Sequence, residues 1–311
     1  MAVCAIMSRM AYADPPYIGR FAPSPTGPLH FGSLVAALGS CLQARVNNGQ
    51  WHLRMEDLDQ PRCLPGMADT ILHTLEQFGF EWDGPVVYQS QQQPDYQTAL
   101  DQLQAAGQLY GCACTRREIA DSSLHGIEGM VYPGTCRQGM PRGRVARALR
   151  VRTDNHLICF DDRLQGRVCQ RLQHDLGDFV VRRADGIFAY QLAVVVDDAR
   201  LGVTEVVRGA DLLASTPRQI YLQHLLHLPT PSYLHLPVAV NAMGQKLSKQ
   251  TNAAALNPHM PLPEMCRAMA FLGYPVPAEV QTLAGFWDWA RSAWRLQQQL
   301  GKGGGTGYTA V

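Results

Sequence analysis

The stretch Arg20-Phe-Ala-Pro-Ser-Pro-Thr-Gly-Pro-Leu-His-Phe-Gly-Ser33 constrains this chain more than any other. It sets a cation, three prolines, two glycines and a histidine between two regular elements. Tyr17 to Phe21 reads as a short buried strand, and Leu34 to Val46 carries apolar residues at helical spacing with Ser33 as the expected N-cap. Pro23, Pro25 and Pro28 fix the loop's path, and Gly27 and Gly32 let backbone approach a flat ligand. The helix N-terminus offers unpaired N–H groups to phosphate oxygens, and His30 can donate to the same phosphates. A strand, a rigid loop and a helix in this order suit a nucleotide site; the alternative is a Pro-rich surface turn before an ordinary helix.

Further along, Trp51 to Met55 reads as a second strand ending in Glu56-Asp57-Leu58-Asp59. In an open parallel sheet, ligands sit at the carboxyl ends of the strands, which places Glu56 beside the Arg20 loop, where a carboxylate can hold the ammonium of an amino acid. Residues 66–79 and 95–107 read as amphipathic helices closed by Gly79 and Gly107. Phe188 to Val196, nearly all apolar, reads as a buried strand carrying Tyr190, and Gly202 to Val207 as a further strand ended by Arg208. Gln245-Lys-Leu-Ser-Lys-Gln250 follows a strand-like Leu234 to Val240 and a turn, a cationic loop suited to a triphosphate.

Residues 109–136 are Gly-rich and poor in apolar side chains, so the segment needs a staple, and zinc suits Cys112, Cys114 and Cys136. Spacing alone leaves the fourth ligand open between His125 and Tyr132. The nine cysteines are an odd number, and with no convincing secretory cleavage pattern they are expected to stay reduced, in the cytoplasm. No membrane span is present. The net charge of +1 does not advertise a nucleic-acid binder, yet Arg137, Arg142, Arg144, Arg147, Arg150 and Arg152 form a local basic cluster.

The Pro-x-Pro-Thr-Gly-x-x-His-x-Gly stretch and the Lys-Leu-Ser-Lys loop together resemble the two signatures of the class I aminoacyl-tRNA synthetases. Arg54-Met-Glu-Asp-Leu-Asp59, Phe188-Ala-Tyr190, Val194-Val-Val-Asp-Asp198 and Val207-Arg-Gly-Ala-Asp211 narrow the resemblance to the glutamyl branch. Within that branch it is similar to the short glutamyl-queuosine tRNA(Asp) synthetases, paralogues of the glutamyl-tRNA synthetases that lack the anticodon-binding half. Two positions depart from the class pattern: Ser33 stands for a second histidine and Gln250 for a serine.

The resemblance implies an α/β Rossmann-type parallel sheet with an inserted zinc-containing α+β subdomain, a short helical C-terminal region and no anticodon-binding domain. The expected divisions are a loose leader over 1–16, the two sheet halves over 17–108 and 188–258, the insert over 109–187, helices over 259–300 and a disordered tail over 301–311. It implies a ligase that forms glutamyl-adenylate from L-glutamate and Mg-ATP without tRNA and transfers glutamate to queuosine in the anticodon of tRNA(Asp). A truncated glutamyl-tRNA synthetase charging the 3′ end of tRNA(Glu) and a non-catalytic RNA-binding module are the alternatives. Glutamate would be bound by Arg20, Phe21, Ala22, Pro23, Ser24, Glu56, Tyr190 and Arg208. ATP would be held by His30, Gly32, Lys246, Ser248 and Lys249, with His30 and Lys249 catalytic. For the metal, the resemblance favours Tyr132 as the fourth ligand beside the three cysteines; a monomer is expected.

Overall fold

Strand β1 (Ile18–Phe21) enters the first turn of α1 (Phe31–Val46) through the proline loop, and β2 (Gln50–Met55) returns parallel to β1, with Arg20 opposite His52. After α2 (Met67–Gln77), β3 (Val87–Tyr88) pairs parallel to β2. The computed structural model describes residues 16–122, 124–126, 129–240, 254–300 and 308–310. The expected leader therefore falls, but for residue 16, outside the described residues, as do Lys246, Ser248 and Lys249.

From α3 (Gln93–Ala105) the chain enters a segment of short strands and helices. Strand β4 (Leu109–Cys112) is followed by α4 (Arg116–Ser122) and the hairpin of β5 (Leu124–Gly126) and β6 (Gly129–Val131). Strand β7 (Ala148–Val151) lies antiparallel between β4 and β10 (Val180–Arg182). Between β7 and β10 stand the hairpin of β8 (Leu157–Asp162) and β9 (Gly166–Arg171) and the single turn α5 (Leu172–Asp175). The hairpin register sets Cys159 against Cys169, Cα atoms 4.1 Å apart, and the two are joined by a disulfide. This corrects the expectation that all cysteines are reduced: cross-strand partners on one face are close enough to bond.

Residues 190–201 correct a second expectation. They form a helix, α6 (Tyr190–Leu201), where a buried strand was expected, closed by Gly202 in the left-handed conformation at φ 70°. An apolar run buried on most sides has no periodicity that separates strand from helix. Strand β11 (Glu205–Gly209), helix α7 (Thr216–Leu225) and β12 (Ser232–Leu236) follow, with β12 parallel to β11. Thr204 ties β11 to β1, donating its N–H to Ile18 O at 2.9 Å, while Ile18 N–H reaches Thr204 Oγ1 at 2.9 Å. The parallel strands thus run β3-β2-β1 and then β11-β12, with β8 beside β12 at Asp162 and Tyr233.

Strand β13 (Val238–Val240), α8 (Pro261–Phe271) and α9 (Leu283–Leu300) complete the main body. One core packs α1, α2, α8 and α9 on the first sheet through Leu34, Leu38, Trp51, Met265 and Phe286. A second joins α3, α6 and α7 to the segment after α3. Of the expected tail, residues 301–307 and 311 lie outside the described residues, and Tyr308–Ala310 form strand β14, which pairs in parallel with Val238–Val240.

Candidate active site

The carboxyl ends of β1, β2 and β11 and the start of α1 enclose a cavity of about 630 Å³. Arg20 and Phe21 from β1, and Ala22, Pro23 and Ser24 from the loop, line it; so do His30 and Gly32 at the head of α1, Glu56, Tyr190 and Arg208. Residues 188 positions apart in the chain thus face one space, because parallel strands end on the same edge of the sheet.

The head of α1 differs from the expected N-cap. His30 is the cap: its Nδ1 accepts from Ser33 N–H at 3.3 Å, and Ser33 Oγ accepts from His30 N–H at 2.8 Å, a reciprocal capping box. The helix begins three residues earlier than Ser33 as cap would require. A neutral imidazole that accepts at Nδ1 carries its proton on Nε2, a donor beside the helix N-terminus. Ala255 bridges His30 across backbone, so the chain returns to the head of α1 after the undescribed stretch that contains the lysine pair.

Arg20 is held rather than loose. Its Nε and Nη2 reach the two carboxylate oxygens of Asp198 at 3.0 and 3.3 Å. Arg54, wholly buried, donates to the same Asp198 at 2.6 Å and to Glu56 Oε1 at 3.3 Å, and approaches Asp197 at 3.6 Å. Asp197 also accepts from Gln89 at 2.7 Å and Tyr96 at 2.8 Å. Burial alone would raise the Asp198 carboxyl, but Arg20 and Arg54 hold it below its ordinary value. Burial pushes Glu56 up, with Arg54 and Arg20 opposing. Burial also raises Asp197 against the pull of Arg54. Sequence reasoning did not assign Arg54, Asp197 and Asp198 as site builders, although all three stand in stretches that carry the family resemblance; by chemistry alone their signal was charge in otherwise apolar runs.

Arg208, 5% exposed, is fixed on three sides. Its Nη2 donates to Thr216 Oγ1 at 2.9 Å and Gln219 Oε1 at 2.8 Å, its Nε meets His235 Nε2 at 3.1 Å, and its Nη1 points at Tyr190 Oη, 3.4 Å away. Three guanidinium groups, of Arg20, Arg62 and Arg208, and two carboxylates, of Glu56 and Asp211, therefore line a single cavity. Within it, Arg20, Arg208 and Glu56 match a ligand with two negative groups and one positive group.

Apart from this cavity, the Sγ atoms of Cys112, Cys114 and Cys136 lie within 4.8 Å of one another. Tyr132 Oη is 3.4 Å from Cys112 Sγ and 3.7 Å from Cys114 Sγ, and Cys114 and Cys136 are 3.6 Å apart. A tetrahedral ion with metal–sulfur bonds of about 2.3 Å sets its ligand atoms about 3.5–3.8 Å apart, so the four groups fit one metal. Burial and the Cys112 thiol push the Tyr132 phenol up, while Cys136 N–H, donated to Tyr132 Oη at 2.9 Å, pulls the other way; Arg150 stacks on the ring at 3.8 Å. Gly177, at φ 71°, packs so tightly that a Cβ would sit 2.8 Å from Tyr132 O.

The arginine cluster divides. Arg137 binds Asp178 at 2.6 Å and Thr153 O at 2.7 Å, Arg150 is buried, and Arg152 donates to Arg137 O at 3.0 Å. These three build the segment, whereas Arg142, Arg144 and Arg147 face outward, with Arg144 paired to Glu118.

A family model for tRNA synthetases class I (E and Q), catalytic domain, matches residues 18–261. A glutamyl-Q tRNA(Asp) synthetase of Dechloromonas aromatica is 62% identical over 283 residues, covering 90% of this chain and 94% of that one. One of Aromatoleum aromaticum is 58% identical, covering 91% and 90%. Among solved structures, a glutamate tRNA ligase from Elizabethkingia meningosepticum, in complex with its amino acid, superposes with a TM-score of 0.66 at 27% identity. That match covers 76% of this chain and 52% of the ligase, so the chain spans about half its length. The proline loop before α1, the charged ends of β1, β2 and β11 and these matches agree: the chain belongs to the class I tRNA synthetases of the glutamate and glutamine branch.

Proposed function

We propose that this chain activates L-glutamate with ATP, without tRNA, and transfers it to the queuosine base in the anticodon of tRNA(Asp). The observation that carries the first half is the convergence of Arg20, Arg208 and Glu56 on one cavity beside the head of α1. Arg20 and Arg208 take the carboxylates of the ligand and Glu56 its ammonium, with Tyr190 and the backbone and side chains of Phe21 to Ser24 closing around it. The second half rests on relatives named for that transfer, matched over 90% of this chain.

The glutamate α-carboxylate attacks the α-phosphorus of ATP, the bond to the bridging oxygen breaks, and pyrophosphate leaves with Mg²⁺. No protein nucleophile is needed, so catalysis is positioning and charge stabilisation. His30 and Gly32 meet the phosphates at the head of α1, and Lys246, Ser248 and Lys249 supply the cationic loop for the departing pyrophosphate. Cys112, Cys114, Cys136 and Tyr132 hold a structural zinc, and the outward Arg142, Arg144 and Arg147 meet the anticodon stem-loop. The protein acts as a cytoplasmic monomer, built as a sheet domain over residues 17–108 and 188–258 with 109–187 inserted.

One experiment tests the reading: glutamate-dependent pyrophosphate exchange without tRNA, then transfer of labelled glutamate to tRNA(Asp) with and without queuosine, each tRNA also tested after periodate oxidation of its 3′ ribose. Exchange with glutamate and not glutamine, and labelling that requires queuosine and survives oxidation, are expected. Labelling of tRNA(Glu) that oxidation abolishes would show a 3′-end synthetase instead.

A further inference from the structure

The imidazole of His235 is fully buried in β12 and touches two charged groups from different parts of the fold. On one side its Nδ1 lies 2.6 Å from Asp162 Oδ2, a carboxylate at the end of β8. On the other its Nε2 lies 3.1 Å from Arg208 Nε and 3.2 Å from Thr216 Oγ1. An arginine Nε–H only donates, so Nε2 must accept, and the ring proton must sit on Nδ1, donated to Asp162. The carboxylate thus selects the tautomer that can receive the guanidinium.

We propose that Asp162 and His235 are positioning residues that set the Arg208 guanidinium for the substrate carboxylate, through a buried carboxylate–imidazole–guanidinium relay. Each link has support beyond its distance. Asp162 also accepts the backbone N–H groups of Leu164, Gln165 and His235, at 3.0, 2.8 and 3.2 Å, so it cannot swing away. Burial keeps His235 below its ordinary pKa despite Asp162, which leaves a neutral ring at neutral pH. With Nε held by His235 and Nη2 by Thr216 and Gln219, the remaining Nη1 edge has Tyr190 as its hydrogen-bond partner among the described residues. Fixing two edges of a planar fork orients the third, and a fixed fork loses less entropy on binding a carboxylate. Asp162 belongs to the strand hairpin beside the nucleotide sheet, so that hairpin has a role in substrate binding as well as in packing.

The relay rests on Arg208 binding the substrate carboxylate, and the test separates the two ideas. His235→Asn puts an amide at the Nδ1 position and keeps the contact to Asp162 but removes the acceptor for Arg208; His235→Gln puts a carbonyl near Nε2 and restores it. In pyrophosphate exchange, His235→Asn should raise the glutamate KM by about tenfold or more, as expected for loss of a hydrogen bond to a charged group, with kcat and the ATP KM little changed. His235→Gln should recover most of that loss. Asp162→Asn lets the ring accept from the new amide and turn an N–H toward Arg208, and should also raise the glutamate KM. Nitrogen NMR of the unmodified protein should show His235 neutral and protonated on Nδ1. A proton on Nε2, or an unchanged glutamate KM in His235→Asn while Arg208→Ala raises it, would overturn the relay alone. An unchanged KM in Arg208→Ala would overturn the substrate pocket and the relay with it. If His235→Asn does not fold, the NMR assignment decides.

Discussion

Arg20 and Asp198 form a buried two-point ion pair across a sequence separation of 178 residues, and Arg54 shares the same carboxylate. One acid therefore fixes the cation at the end of β1 and a second, wholly buried cation on β2.

Asp198→Asn leaves two buried guanidinium groups short of a counter-charge and should destabilise the fold by about 3–5 kcal/mol. The carboxyl is held low by Arg20 and Arg54 against burial, so its contribution is present above the ordinary carboxylate range and is lost as pH falls through the depressed folded value. Urea unfolding at pH 7 and at acid pH checks this: the variant should lose stability at pH 7 and show a weaker acid dependence. Equal stability of the two proteins at pH 7 would contradict it.

Glu56 goes the other way. Burial raises its pKa in the fold, so its contribution is present below about pH 4 and is lost as pH rises through the folded value. At pH 7, above the ordinary carboxylate range, keeping this carboxyl buried beside the cavity costs stability. Glu56→Gln should therefore gain about 0.5–2 kcal/mol in urea unfolding while losing glutamate-dependent exchange. A variant that exchanged normally would remove Glu56 from the ammonium site.

For the thiolate cluster, elemental analysis should find one zinc per chain. Cys112→Ser or Cys136→Ser should lose it and open the segment to protease near residue 136. Tyr132→Phe keeps all three thiolates and should retain zinc but yield it to a chelator faster. Zinc held equally firmly by Tyr132→Phe would point to a different fourth ligand.

The two kinds of arginine in the cluster should separate cleanly. Arg142→Ala with Arg147→Ala should weaken transfer to tRNA several-fold and reduce its salt dependence, leaving exchange and stability unchanged. Arg137→Ala leaves Asp178 with Tyr110 and Thr153 as partners and should cost about 1–3 kcal/mol of stability. Weakened exchange in the outward pair would show that they serve the catalytic cavity instead.

The strand, proline loop and first helix were legible because each signal is local: prolines and helical spacing lie within thirty positions, though the cap fell on His30 and not on Ser33. The edge of the sheet also placed Glu56 and Arg208 beside Arg20. Helix α6 was not legible, since Val194 to Val196 suit a strand locally and only burial against α3 and α7 makes them helical. Asp198 and His235 were hidden for another reason. Their meaning lies in partners 178 and 73 residues away, and no spacing rule reaches across an insertion of that length.

That α6 is a helix turns it into a ruler. Tyr190 stands in its first turn and Asp198 eight residues on, about 12 Å along the axis at 1.5 Å per residue, and both face charges of the same cavity. A deleted or inserted residue between them would rotate one end against the other by about 100° and take Asp198 off Arg20 or Tyr190 off Arg208. Substitutions that keep the length shift packing by fractions of an ångström. Across descendants of this chain, residues 190–198 should therefore tolerate changes of apolar side chain but not of count.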